Sequence, residues 1–432
     1  MRARLTQLWV ALRESYWFLP ALLSLFAVGL AVAATIVDRT WGPWSVEWIP
    51  PIRAEGARSL LSTAAGSLIT VAGVAISVTL VALASTSSQF GPRLLVHFLR
   101  DRGIQLALAL FAASFLNCLV VLLFVRSAAE QGQPFVPQLA IGIAFLASIV
   151  SVGTFIYLVH HVAQMLHVGN VVARSGEELL AGIVALEVGW RSGERVTRDD
   201  LDRLGPPPRP SAVVRAPHHG YLQVVDVDTL VGVAARLERT VAVAVRVGEF
   251  VTEGVVIARA WPEEPLAPDD ERAILDAFAW GTRRTHEQDV QFQVDQLVQI
   301  AARALSPGVN DPFTAMGCID WLEAAIRRFG YLPPGAWIRR SASPEACVLW
   351  PVTTFKELLE AAVDQLIPYA AADPNAARHL ARALRRQEQQ SSDPHHRELL
   401  AERSRRLREA TEVHLADPVD VDGLAPDERR AR

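Results

Sequence analysis

Residues 59–92 read SLLSTAAGSLITVAGVAISVTLVALASTSSQFGP, 34 positions without a charged side chain. A helix crosses the hydrocarbon core of a bilayer with about 20 apolar residues, so this run can span and project beyond. Three further charge-free runs accompany it: 15–37 (23 residues), 103–125 (23) and 131–173 (43). Four such runs within the first 173 residues argue against buried helices of a soluble core. Spans are expected near 18–37, 61–84, 104–125 and 138–160. Composition agrees, with 51% of the 432 residues apolar and 20% charged, where a soluble domain has about a quarter charged. Three cysteines and the apolar content exclude disorder, collagen and a small disulfide scaffold. A net charge of −4 disfavours nucleic acid as a partner and leaves the lipid bilayer as the evident one.

Arginine placement gives an orientation. Arg2, Arg4, Arg13, Arg93, Arg100, Arg102 and Arg174 would share one side, against Arg39, Arg53, Arg58 and Arg126 on the other. The richer side belongs inside, so both termini are expected in the cytoplasm of a bacterial inner-membrane protein. The first apolar stretch is span-length and no convincing cleavage site follows it, unlike a removable signal. Leu5, Leu8, Trp9, Leu12 and Tyr16 recur at helical spacing before it. Residues 1–17 therefore suit either a helix lying in the interface or an ordinary lead-in to the first span. Trp41, Trp44 and Trp48 fit the opposite interface.

Gly66, Thr70, Gly73 and Ser77 follow at spacings of 4, 3 and 4, which places them on one side of the second span. Small residues let helices approach closely in lipid, and the hydroxyls could also line a narrow water path. The polar stretch 85–89 before Gly91-Pro92 is tolerable where water reaches it. Ser114 and Asn117 are expected to hydrogen-bond between helices. Apart from His160 at the last position of the fourth, no acid or base lies inside the expected spans, so the usual mark of a proton relay is missing. His160, His161 and His167 end the fourth run, but adjacent residues point to different helix faces, and no metal site is assigned to them.

After residue 170 the character is that of a soluble protein. A helix over about 170–190 carries the fourth span onward, and Gly205-Pro206-Pro207-Pro208-Arg209-Pro210 is a stiff linker. Val241, Val243, Val245 and Val247 alternate at strand period. Gly248 to Gly254 then reads G-E-F-V-T-E-G before the apolar Val255-Val256-Ile257. This pattern, with Ala216-Pro217-His218-His219-Gly220-Tyr221 upstream, resembles the barrel-sandwich hybrid modules of lipoyl and biotinyl carriers. Such a carrier presents a lysine on a hairpin. The only lysine of the chain is Lys356, nearly a hundred residues further on, so no swinging cofactor is expected and the module reads as a structural or docking barrel. The remaining 41 basic residues are arginines, a skew that makes arginine at any one position weak evidence for anion recognition.

Beyond the β region the chain is expected to be helical over about 268–284, 287–305, 312–328, 353–371 and 375–416, the last interrupted at Asp393-Pro394. Val290, Val294, Leu297 and Ala301 form one side of the second of these, opposite Gln288, Gln291, Asp295 and Gln299. Asp311 before Pro312 reads as a helix N-cap followed by proline at the first helical position. Asp295, Gly308, Asn310 and Asp311 form a candidate ligand loop, because Gly308 and Asn310 permit unusual backbone angles beside a polar helix face. The stretch 87–95 (SSQFGPRLL) and the stretch 291–315, from Gln291-Phe292-Gln293 to Ser306-Pro307-Gly308-Val309-Asn310-Asp311-Pro312, resemble a bacterial family of predicted membrane proteins of unknown function, DUF2254. The resemblance implies an inner-membrane protein and brings no activity with it.

The expected fold is thus an α-helical multi-pass membrane domain with four spans plus a cytosolic α+β region. Its parts are 1–17, the four-span domain 18–169, a connecting helix and proline-rich linker 170–210, the small barrel-sandwich-like β module 211–262, a helical domain 263–416 and a loose acidic tail 417–432. No P-loop, G-x-S-x-G elbow, zinc spacing or pair of acids within a span is present. An oligomeric channel or permease-like assembly with a cytosolic regulatory domain leads. A membrane-anchored ligand sensor or scaffold is the alternative, and a membrane enzyme stands third.

Overall fold

The computed structural model describes residues 18–42, 52–90, 101–127, 135–165, 167–191, 212–262, 264–286, 288–332, 337–340 and 346–414. The readings of residues 1–17, Trp44, Trp48, the 205–210 linker and the acidic tail lie outside these. The chain divides into two compact units, Met1–His167 and Val168–Arg432.

The first unit holds four long helices: α1 (Phe18–Trp41), α2 (Ala54–Phe90), α3 (Arg102–Phe124) and α4 (Gln138–Met165). Each is long and apolar enough to cross a membrane. Helix α3 packs on the other three, and half of its apolar window is buried, against 22% in each of the others. It is the central helix of the unit. Apolar side chains make the seam: Ala31, Leu61, Ala65, Leu68, Cys118, Val121 and Ile141 at one level, and Ala75, Phe111 and Leu158 at the other. Polar groups join the helices as expected. The Asn117 amide donates to the Ala27 carbonyl at 3.2 Å, and Ser151 donates to Ser114 at 2.9 Å.

Two boundaries differ from expectation. Helix α2 starts at Ala54 rather than near 61, because a charge at a helix end need not stop it: the Arg58 guanidinium donates to the Val125 carbonyl at 2.8 Å. Helix α1 runs on through Asp38, whose two oxygens accept from the Leu139 and Ala140 backbone N–H groups. The carboxylate that the expected span excluded is a buried cap for α4. The fourth charge-free run also breaks. Helix α4 ends at Met165, and a separate helix α5 (Val168–Arg191) begins the second unit.

The second unit is mostly helical with two small sheets. Strands β1 (Ala212–Arg215) and β2 (Gly220–Val225) precede helix α6 (Val227–Leu237), then β3 (Thr240–Val243), β4 (Phe250–Val251) and β5 (Val256–Trp261). Helix α7 (Pro268–Leu275) leads to β6 (Phe278–Gly281), followed by α8 (Val290–Ala304), α9 (Pro312–Phe329), β7 (Trp337–Arg340) and β8 (Cys347–Trp350). Helix α10 (Phe355–Leu359), a π turn over Glu360–Asp364, α11 (Ile367–Ala370), α12 (Pro374–Gln390) and α13 (Pro394–His414) complete it.

One sheet has the order β1-β5-β3-β8-β7, with β3 and β8 parallel and the other pairs antiparallel; the second is β4-β2-β6. Both contribute to one core with α6 and α7, around Val214, Leu222, Leu230, Val241, Ile257 and Ile274. The described strands form two open sheets and no closed barrel, which corrects the barrel-like expectation. What remains of the carrier likeness is the turn after β3. Gly248 has φ +90°, its N–H donates to the Leu222 carbonyl, and Leu222 returns a bond to the Glu249 carbonyl. The expected helix over 268–284 stops at Leu275, because Phe278 and its neighbours pair with β2 as a strand.

The helical layer is built on α8, buried on nearly every side: Val290, Val294, Leu297 and Ala301 as expected, and also Gln293 and Gln296. It packs on α5, α9 and the π turn.

Candidate functional site

All four members of the small-residue face of α2 are exposed within the subunit. An added Cβ at Gly66 or Gly73 would meet nothing within 4 Å. Thr70 and Ser77 donate their hydroxyls to the Gly66 and Gly73 carbonyls, at 2.8 and 2.9 Å, so each is satisfied by its own helix. At 100° per residue, Ile69 and Ile76 stand along one edge of this face and Val74 and Val81 along the other, all exposed. The face is therefore a shallow groove between two apolar ridges. The buried residues of α2, such as Leu61, Leu68 and Ala75, lie on the opposite side and hold the helix to α3 and α4.

The outer surfaces of α1 and α4 contrast with it. They present Leu22, Leu25, Phe26, Phe145, Leu146 and Ile156, the bulky side chains suited to lipid. His161 is held by Asp101 at 2.8 Å and stacks on Tyr157. Asp101 also caps α3 by accepting from the Ile104 N–H. His160 bonds Gln164 instead, so the histidine run diverges.

In the second unit Asp311 is the N-cap of α9, with Pro312 in its first turn. One carboxylate oxygen accepts from the Thr314 N–H at 3.1 Å and the other from the Thr314 hydroxyl. The turn before it is closed by Val309 and Asn310 N–H groups donating to Ser306 and by the Asp311 N–H donating to Ala304. Asn310 takes φ +51°, the left-handed conformation that asparagine tolerates well; Gly308 does not have a positive φ. Val309 and Phe313, 50% and 76% exposed, give the loop an apolar outer surface. Behind it Cys318 is buried, and burial with the nearby Asp311 charge pushes its thiol far up. It is a packing group, not a nucleophile.

Asp295 does not join this loop. It lies near the start of α8, about 14 Å of helix rise from Ala304. Arg284 holds it at 2.8 Å while gripping Asp289 with two further bonds at 2.8 and 2.9 Å. Asp289 is itself the N-cap of α8, accepting from the Phe292 N–H. Sequence reasoning missed Arg284, because the residue sits in a segment read as the end of a helix. Gln288 ties the same segment to the Val225 backbone in both directions.

Four helices of membrane-spanning length followed by a mostly helical unit with small sheets define a multi-spanning membrane protein. The chain belongs to the family described as predicted membrane protein (DUF2254), whose model matches residues 13–386. It is 30% identical over 370 residues to the uncharacterized protein Mb1321c of Mycobacterium bovis, covering 84% of this chain and 70% of the relative. The uncharacterized protein Rv1290c of Mycobacterium tuberculosis matches to the same extent. No solved structure matches the chain significantly.

Proposed function

We propose that the protein is an oligomeric channel or permease-like assembly of the bacterial inner membrane, with both termini and a regulatory second unit in the cytoplasm. The observation that carries this reading is the groove of α2. A face of glycine and small hydroxyl residues walled by Ile69, Ile76, Val74 and Val81 suits a helix of another copy better than lipid chains, because van der Waals packing drives association in a bilayer and small residues permit the closest approach. Four helices are few to enclose a path. Several copies, each contributing α2, enclose one readily.

Gly73→Leu tests it by filling the groove. If the groove holds a neighbouring subunit, the oligomer weakens on native gels. If it lines the path, potassium flux from loaded liposomes falls while the oligomer survives. Wild-type behaviour in both assays overturns the proposal, since the face would then look at lipid.

A further inference from the structure

The second unit contains a cleft of about 500 Å³ between α12 and α13. Its shape follows from the helix pattern. Ala381, Arg385, Glu388 and Gln389 share one side of α12, and Arg397, Ala401, Ser404, Arg405 and Arg408 share one side of α13. Ala381 and Ala401 keep the floor low, and long side chains make the walls. Four guanidinium groups and one carboxylate line it.

Arginine identity alone decides little in a chain whose cations are nearly all arginine. Pairing decides more. On the same two helices Arg386 grips Glu323, while Arg403 and Arg406 share Asp364. The side chains of Arg397, Arg405 and Arg408 in the cleft have no carboxylate partner among the described residues. In the wall, Arg408 Nε and Ser404 Oγ are shielded from solvent and have no hydrogen-bond partner. Buried donors without acceptors are costly, and guanidinium forks match oxyanions with paired hydrogen bonds.

We propose that this cleft binds a phosphate-bearing anion. Its volume lies in the range of small-molecule sites, enough for a diphosphate group or the phosphorylated headgroup of a lipid. The site is separate from the α2 groove, and its failure would leave the membrane reading untouched.

The test uses the full chain in detergent, titrated calorimetrically with inorganic pyrophosphate. Saturable binding is expected, weakened by salt and by about tenfold in Arg405→Gln and in Arg408→Gln, as loss of a charge-assisted hydrogen bond implies. Arg397→Gln, at an exposed position, should weaken it in the same direction without risk to folding. Arg406→Gln removes a cation that is paired with Asp364 outside the cleft and should leave binding within about twofold. A second arm compares thermal stability in nanodiscs of zwitterionic lipid with and without anionic phospholipid. Arginine-dependent pyrophosphate binding identifies a soluble phosphate. Arginine-dependent stabilisation by the anionic lipid alone identifies a headgroup, and either result supports the site. Absence of both effects, effects unchanged in the cleft variants, or an equal loss in Arg406→Gln overturns it.

Discussion

Asp311 serves the backbone and a side chain at once, since its two oxygens accept from the N–H and the hydroxyl of Thr314. Losing such a cap costs about 1 kcal/mol. Asp311→Ala should therefore lower the melting temperature of the detergent-solubilised chain, whereas Asp311→Asn keeps an acceptor for the Thr314 N–H and should melt near wild type. Equal melting of both variants and wild type would show that the cap contributes nothing. If the carboxylate also serves a ligand, Asn would lose function at unchanged stability. This cap was legible in the sequence because it is local: an aspartate, a proline and a helix pattern within a few positions. The pairing of Asp295 with Arg284 was not, since it depends on where the segment after β6 runs. The arginines of the cleft were hidden differently. Helix α13 carries arginines around its circumference, and spacing alone does not separate the paired ones from the unpaired.

Helix α5 shows how packing can invert an intrinsic preference. Exchanging a helical glycine for alanine ordinarily gains up to about 1 kcal/mol. At Gly176 an added Cβ would lie 2.0 Å from Trp321 Cδ2 of α9, so the ring or the helix must move. Overpacking of this kind costs about 1–3 kcal/mol. Gly176→Ala should thus lower the melting temperature, and Gly232→Ala in α6, where nothing lies within 4 Å, should raise it or leave it unchanged. A stabilising Gly176→Ala would mean that α5 does not pack on α9 as described. Among the elements, α8 was readable from its apolar period and α9 from its cap, while α12 and α13 were expected as one stretch over 375–416 interrupted at Asp393-Pro394, where the structure parts them. The strands were harder for a physical reason. Strand β8 lies between β7 and β3 and pairs parallel with β3, Val241 facing Val348, so one of its two partners is more than a hundred residues away. Strand β6 follows α7 without a glycine or proline to mark the change, and only its pairing with β2 separates it from a longer helix. The segment 353–371 reads as one helix but is divided by the π turn over Glu360–Asp364.

At the scale of the first unit, contacts at the helix ends fix an alternating course. Asp38 caps the start of α4, Gln138 exchanges hydrogen bonds with the Ile52 backbone, and Arg58 reaches the end of α3 at Val125. These place the end of α1, the start of α2, the end of α3 and the start of α4 together. The Asp101–His161 pair joins the start of α3 to the end of α4 at the other extremity. An alternating four-helix unit puts whatever precedes α1 and whatever follows α4 on the same side. Which side this is rests on the arginines, since the bias of basic residues sets orientation. The end marked by Asp38 carries Arg39, Arg53, Arg58 and Arg126, and one of these, Arg58, is engaged with a backbone carbonyl. The end marked by Asp101 carries Arg102, and the sequence count adds Arg2, Arg4, Arg13, Arg93, Arg100 and Arg174 to that side as an expectation. The bias of seven to four sets an orientation that reporter fusions measure. A periplasm-active reporter fused within the segment joining α3 and α4 should be active, and the same reporter at the C-terminus silent, with a cytoplasm-active reporter giving the reverse. Activity of both fusions in one compartment would break the alternating course itself. A C-terminus reporting outside, with the α3–α4 segment inside, would keep the four spans and reverse the orientation, placing the arginine-lined cleft on the periplasmic side, beyond reach of a cytoplasmic phosphate.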